Sequence, residues 1–195
     1  MLFENYPELE VVSEDIELAV SVIAEAYRSG GKLMTAGNGG SASDSEHIVG
    51  ELMKGFKKKR PVLDTRIPAD ISAKLQGALP TISLSGGLAL PTAYLNDVDG
   101  SFTVAQTLFG LAKSGDAALF ISTSGNAVNL IHAARLAGSL GVKTIALTGR
   151  SGGRLAEICD VAIKVPADET YRVQEYHLPV YHEICMRLED IFFPE

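Results

Sequence analysis

The sequence has no apolar run that approaches the ~20 residues needed to cross a bilayer. Residues 1–17 are acidic, and they lack the basic flank and apolar stretch of a secretory signal. With only two cysteines, Cys159 and Cys185, the chain has neither a disulfide framework nor a CxxC motif. We expect both cysteines to be buried reduced thiols, and the absences together predict a cytoplasmic protein.

Positive charge is also scarce. The 17 Lys and Arg residues are outnumbered by 24 Asp and Glu residues, giving a net charge of −7. This balance argues against nucleic-acid binding, because such binding depends on neutralising phosphates. The one basic run, residues 57–60, is interpreted as a solvated helix end or loop.

Apolar segments of strand length alternate with segments of helical periodicity, which predicts an α/β fold in one domain over residues 1–195. Predicted strands cover 32–36, 81–84, 117–122, 143–147 and 161–165, and predicted helices cover 14–29, 41–57, 101–113, 127–140 and 171–191. Continuous apolar strands separated by helices indicate a parallel sheet that is covered on both faces. Residues 58–80 contain Pro61 and Pro68 and are predicted to form a long irregular excursion within the domain.

Two polar loops follow predicted strands, at the sheet edge where α/β proteins bind ligands. The candidate phosphate-binding residues in them are Asn38, Gly39, Gly40 and Ser41 in the first loop and Ser122, Thr123 and Ser124 in the second. Glycines allow close backbone approach, and a following helix presents unpaired N–H groups to an anion. A tight turn without a ligand, or simple capping of the next helix by Ser41 or Ser43, remains the alternative. The first loop has neither the GxGxxG nor the Walker spacing.

Acid–base residues cluster on two predicted helices. His47 and Glu51 lie four residues apart and therefore share a helix face, although this spacing also occurs on ordinary solvated helices. Gln174, His177 and His182 lie on the last predicted helix. The remaining histidine, His132, has no polar companion at a useful spacing and is interpreted as structural.

The sequence resembles the sugar isomerase (SIS) domain family and, within it, the phosphoheptose isomerases. The matching segments are GNGGSASDSEHIVGEL at 37–52, ISTSGNAVNLI at 121–131, TIALTG at 144–149 and RVQEYHLPVYH at 172–182. The resemblance implies a three-layer α/β sandwich with a five-stranded parallel sheet and a homotetramer with active sites at subunit interfaces. It also implies conversion of sedoheptulose 7-phosphate to an aldose phosphate through an enediol.

The same resemblance implies roles for individual residues. Glu51 matches the catalytic base and His182 the general acid. The phosphate set matches Ser41, Ser122, Thr123 and Ser124, and Asn96 and Asp97 match a pair near the sugar hydroxyls. Gln174 is a further candidate substrate-binding residue. Some members hold zinc with residues that match His47, Glu51, Gln174 and His182, a mixed nitrogen and oxygen set that suits this ion.

Four departures from the family pattern leave other functions open. Gly55 stands where many members have arginine, Ala127 replaces a serine and Tyr171 replaces an aspartate. Pro179 lies inside the last predicted helix, where it should kink the axis by removing one backbone bond. The alternatives are a noncatalytic sugar-phosphate sensor, a protein that binds a replication initiator, and an isomerase for another ketose phosphate.

Overall fold

A five-stranded parallel sheet organises residues 2–194, the part of the chain that the computed structural model describes. The strands are β1 (Leu33–Gly37), β2 (Thr81–Ser83), β3 (Ala117–Ser122), β4 (Lys143–Thr148) and β5 (Val161–Lys164). They pair in the order β2-β1-β3-β4-β5, and every neighbouring pair is parallel. The predicted fold class and strand number are confirmed.

Helices connect the strands and cover the sheet. They are α1 (Leu2–Asn5), α2 (Ser13–Arg28), α3 (Gly40–Met53), α4 (Ala69–Ser72), α5 (Ala89–Asp97), α6 (Thr103–Leu111), α7 (Val128–Ser139), α8 (Gly153–Ile158) and α9 (Thr170–Phe192), with 3-10 helices at Pro7–Val12 and Gly100–Phe102. No helix in the described range is long and apolar enough to cross a membrane.

The core lies in two layers, one on each face of the sheet. Leu119 and Ile121 of β3 belong to the layer beneath α2, α3 and α9, whereas Ala118 and Phe120 belong to the layer beneath α6, α7 and α8. Both sets are buried because successive strand residues point to opposite faces. Because helices cover both faces of the sheet, the strands are apolar throughout. The sheet and the two layers of helices form a three-layer sandwich.

The start of α3 differs from the prediction. Its N-cap is Gly39, with φ at +55°, and no side chain caps the helix. The expectation that Ser41 or Ser43 caps it is wrong, because the left-handed glycine lets the helix begin at Gly40, before either serine. Helix α3 also ends at Met53, four residues earlier than predicted.

The prediction that residues 57–60 form a solvated helix end or loop is wrong for Arg60. Arg60 is 1% exposed, and its Nε donates to Oε1 of Glu189 on α9 at 2.8 Å. The Glu189 carboxylate also accepts the backbone N–H groups of residues 56–58. Burial alone would raise the pKa of Glu189, but these amides and the guanidinium hold it below its ordinary value. A buried ion pair therefore fixes the segment after α3 to the last helix.

The strand order creates a crevice at one edge of the sheet. From β1 the chain crosses to β2 on one side, whereas from β3 it crosses to β4 on the other. The carboxyl ends of β1 and β3 consequently flank the topological switch point, where open α/β sheets bind ligands. Both predicted phosphate loops begin at this point.

Candidate active site

The two strand-end loops are joined across the crevice. Asn38 follows β1 and Asn129 lies in the first turn of α7, after the second loop. The side-chain amide of each donates to the other's carbonyl oxygen, at 3.0 and 2.9 Å. The sequence analysis did not single out Asn129, and only its place four residues after Gly125 could have indicated it.

The first loop also contacts α9. A Cβ added at Gly40 would lie 2.6 Å from Nε2 of Gln174, so glycine is what allows this amide to approach the loop. At the base of the loop, the Ser85 hydroxyl donates to the carbonyl oxygen of Gly37 at 2.7 Å and accepts its N–H at 2.9 Å. Ser41 is buried, whereas Asn38, Gly39 and Gly40 are exposed. Gln174 is thus placed beside the candidate phosphate loop.

The second loop is braced by the start of α8. Gly125 has φ at +66°, and a Cβ there would lie 1.9 Å from the carbonyl oxygen of Gly152. Asn126 Oδ1 accepts the backbone N–H of Arg154 at 3.0 Å. The three candidate hydroxyl residues differ in exposure: Ser122 is buried, Thr123 half-buried and Ser124 exposed. The loop is therefore held from behind, while part of it remains open to a ligand.

His47 and Glu51 form a contact pair on α3. His47 Nε2 lies 3.1 Å from Oε1 of Glu51, and Nζ of Lys54 lies 3.1 Å from Oε2 of the same carboxylate. Glu51 is largely shielded, with 13% of its side chain exposed. Spacing of three and four residues places all three groups on one face of the helix.

His182 lies opposite this pair on α9. Its ring centroid is 5.1 Å from that of His47 and 5.3 Å from that of Phe56. Its Nε2 is buried and has no hydrogen-bond partner within residues 2–194. Burial, followed by the nearby charge of His47, lowers the pKa of His182, although Glu51 opposes the shift. The neutral imidazole is therefore favoured.

Two further residues, Asp44 and Tyr181, belong to the cluster. The Tyr181 hydroxyl lies 2.9 Å from Nδ1 of His47 and donates to Oδ1 of Asp44 at 3.3 Å. Burial and the charge of Asp44 raise the pKa of Tyr181 above its ordinary value. The sequence analysis did not single out either residue, although Asp44 lies one helical turn before His47.

The structure does not bring every candidate to this cluster. Asn96 and Asp97, at the end of α5, are exposed, and Asn96 Nδ2 donates to Asp97 Oδ1 at 2.7 Å. In the described part of the chain, no hydrogen bond or ion pair joins them to Glu51. His177 is fully buried in the core.

The structure gives a physical reason for Gly55. A Cβ at this position would lie 2.4 Å from the carbonyl oxygen of Lys58, and the Gly55 N–H donates to Oε1 of Gln76 at 2.7 Å. The turn therefore has no room for the arginine of other family members. Near this position, Lys54 provides a positive charge beside Glu51.

The four residues that the resemblance implies as zinc ligands lie on α3 and α9, and His47 contacts both Glu51 and His182. Within residues 2–194, no group of three or more His, Cys, Asp or Glu side chains is placed to hold a metal ion. Both nitrogens of His47 face protein atoms, Tyr181 and Glu51. The buried Nε2 of His182 has no partner in the same residues. No chemical step is therefore derived through zinc.

Comparison with known proteins identifies the relatives of this chain. The sequence model of the SIS domain family matches residues 8–149. A phosphoheptose isomerase from Geotalea daltonii is 39% identical over 94% of this chain and 88% of its own. Another from Nitratiruptor sp. is 37% identical over 98% and 96% of the two chains.

Solved structures give the same result. Phosphoheptose isomerase GmhA from Neisseria gonorrhoeae superposes with a TM-score of 0.80 at 28% identity, over 95% of this chain and 91% of its own. A phosphoheptose isomerase from Francisella tularensis has a TM-score of 0.78 at 28% identity, over 96% and 94% of the two chains. The chain therefore belongs to the SIS domain family and, within it, to the group of the phosphoheptose isomerases.

Proposed function

We propose that this protein converts sedoheptulose 7-phosphate into D-glycero-D-manno-heptose 7-phosphate through an enediol. The relatives named phosphoheptose isomerase support the reaction, since they match over most of both chains. The observation that carries the proposal is that Glu51 of α3 and His182 of α9 both lie against the His47 ring. A carboxylate and an imidazole are the groups that an aldose–ketose isomerisation requires.

The phosphate is assigned to the two strand-end loops. Helices α3 and α7 begin directly after them and direct unpaired N–H groups and a partial positive charge toward the crevice. Neither helix has an acidic residue in its first turn, so no side chain there repels an anion. The hydroxyl residues Ser122, Thr123 and Ser124 add neutral donors.

Glu51 is assigned to the carbon-bound proton. Its carboxylate removes a proton from C1 of the ketose and returns it to C2 of the enediol, so that no net oxidation occurs. The unpartnered Nε2 of His182 is free to exchange a proton with the oxygens on C1 and C2. Since the neutral imidazole is favoured, His182 replaces the proton that it delivers to the oxygen on C2 with one that it takes from the oxygen on C1.

A panel of five- to seven-carbon ketose phosphates tests the function. We expect turnover of sedoheptulose 7-phosphate, and a loss of about 10²- to 10⁴-fold in kcat for Glu51→Gln. Glu46→Gln, an exposed change on the same helix, is the matched control and should retain activity. Turnover of none of these sugars by the wild type would favour a sensor instead. Wild-type activity in Glu51→Gln would remove it as the base.

We also propose assembly into a homotetramer with active sites at subunit interfaces. The segment around α5 and α6 exposes Leu88, Leu95 and Phe109 at 76%, 67% and 61%, an apolar surface that suits burial against a second copy. Asn96 and Asp97 lie on the same helix α5, so in an assembly they are available to a neighbouring subunit's site. Analytical ultracentrifugation should give a tetramer that Phe109→Asp dissociates. A monomeric wild type would contradict the proposal.

Zinc binding and a cytoplasmic location stay predictions. Metal analysis of protein purified without chelators tests for zinc, and one zinc per chain that is lost in His47→Ala would support the implied site. If no zinc is found, the acid–base residues carry out the reaction without a metal. Cell fractionation tests the location.

A further inference from the structure

The Tyr181 hydroxyl lies between the two helices that carry the acid–base residues. It extends from α9 to α3, where it meets Nδ1 of His47 at 2.9 Å and Oδ1 of Asp44 at 3.3 Å. The Tyr181 side chain is almost completely buried, so water does not compete freely for these contacts. A phenol can donate one hydrogen bond while it accepts another, which suits it to bridge Asp44 and the imidazole.

This bridge determines where the other edge of the His47 ring faces. The two nitrogens of an imidazole lie on different edges of the ring, so a bond at Nδ1 fixes the direction of Nε2. In the structure Nε2 meets Oε1 of Glu51 at 3.1 Å. A half-turn of the ring would place carbon atoms opposite both Tyr181 and Glu51, and both hydrogen bonds would be lost.

We propose that Asp44 and Tyr181 are positioning residues that fix the His47 ring and, through it, the Glu51 carboxylate. Asp44 accepts a hydrogen bond from the Tyr181 hydroxyl, which accepts one from Nδ1–H of the ring. Nε2–H of the ring donates to the carboxylate and holds it in place for proton transfer. This inference rests on the proposed role of Glu51 as the base. Neither Asp44 nor Tyr181 contacts the reacting atoms in this arrangement.

The tyrosine ring has a second role that must be separated from that of its hydroxyl. It packs edge-on against the rings of His47 and His182, with centroid distances of 5.5 and 5.0 Å. Tyr181→Phe keeps this packing and removes only the hydroxyl. Tyr27→Phe is the matched control, because Tyr27 is also buried and its hydroxyl lies 2.8 Å from Thr81 Oγ1, at the opposite end of the sheet.

The test combines ¹⁵N NMR of the His47 imidazole, assigned with His47→Gln, with kcat and KM for sedoheptulose 7-phosphate. In Tyr181→Phe we expect the Nδ1 signal to shift and kcat to fall by about 10- to 100-fold, with KM changed less than about twofold, because misplacement of a catalytic group affects turnover. Asp44→Asn should shift the same signal. The double variant should be no worse than Tyr181→Phe, since both act through one bridge. Tyr27→Phe should leave the His47 signals and kcat unchanged.

Two results would overturn the inference: unchanged His47 signals in Tyr181→Phe, or fully additive losses in the double variant. A shifted His47 signal with unchanged kcat would support the bridge but contradict the role of Glu51 in the proposed function. The NMR readout does not depend on turnover, so failure of the bridge and failure of the proposed function are distinguishable.

Discussion

Two parts of helix α9 differ in whether their buried polar groups have hydrogen-bond partners. In the first part, up to residue 182, both ring nitrogens of His177 and Nε2 of His182 are buried without a hydrogen-bond partner in the described structure. In the second part, from residue 183, Glu189 accepts bonds from Arg60 and from the backbone of residues 56–58. Unpaired buried groups cost stability, whereas a saturated carboxylate holds a segment in place. The comparison therefore separates His182, which is available for chemistry, from Glu189, which maintains the fold.

The largest expected effect is a loss of turnover, and it comes from the part of α9 whose buried nitrogens have no hydrogen-bond partner. His182→Asn should lower kcat by about 10²- to 10⁴-fold, because it removes the group assigned to proton exchange at the sugar oxygens. Its free energy of unfolding should fall by only about 0.5–1.5 kcal/mol, since ring contacts are lost but no hydrogen bond of Nε2 is broken. Steady-state kinetics and urea unfolding measure the two effects. His132→Asn, on the opposite face of the sheet, is the control. Loss of stability without loss of turnover would make His182 structural.

A change in the part of α9 that carries Glu189 should instead lower the stability of the fold. Glu189→Gln leaves Arg60 buried without its counter-charge and should lower the free energy of unfolding by about 3–5 kcal/mol. Glu175→Gln breaks an exposed pair with Arg172 on the same helix and should cost at most about 1 kcal/mol. Urea titration compares the variants. Equal costs for both would show that burial of the pair does not matter.

His177 should make stability depend on pH. Burial lowers its pKa to about 4, and its ring lies near the Thr148 backbone. The unfolded chain binds a proton near pH 6.5, whereas the folded protein does so only near pH 4, so stability falls as pH decreases between these values. The difference corresponds to about 3 kcal/mol. Between pH 7 and pH 4, the wild type should therefore lose about 3 kcal/mol more stability than His177→Leu. Parallel pH profiles would contradict this.

The smallest expected effect concerns the turn before the segment that Glu189 holds. Gly55→Ala should destabilise the fold by about 1–3 kcal/mol, because its Cβ would meet the Lys58 carbonyl oxygen at 2.4 Å. Gly138→Ala is the matched control: it lies inside α7 with no atom near the new Cβ, and it should be neutral or slightly stabilising. Thermal unfolding distinguishes them. A neutral Gly55→Ala would show that the turn adapts.

The regular elements of the fold could be predicted from the sequence because they repeat a simple pattern. Strand β3 was predicted with its observed bounds, 117–122, since both of its faces are buried and its apolar run is uninterrupted. Helix α5 was missed, because none of its residues is buried and its sequence has no apolar stripe. The bounds of α3 depended on the backbone angle of Gly39, which local composition does not specify.

The candidate site was predictable only where spacing along one helix determines proximity. His47 and Glu51 contact each other as their four-residue spacing indicates. The approach of Gln174 to Gly40, and of Tyr181 to Asp44, depends on how α9 packs on α3, and no local pattern encodes that packing. Arg60 shows the same limit: its neighbours in sequence suggest a solvated run, but its partner is 129 residues away.

That distance has a consequence for how the chain is made. Glu189 lies 129 residues after Arg60, so residues 56–60 are synthesised long before the carboxylate that fixes them exists. The sheet strands can pair earlier, since all five are present by residue 164. The segment after α3 must therefore wait for this carboxylate until α9 has been synthesised. A chain that stops before the end of α9 lacks the carboxylate that neutralises the buried Arg60.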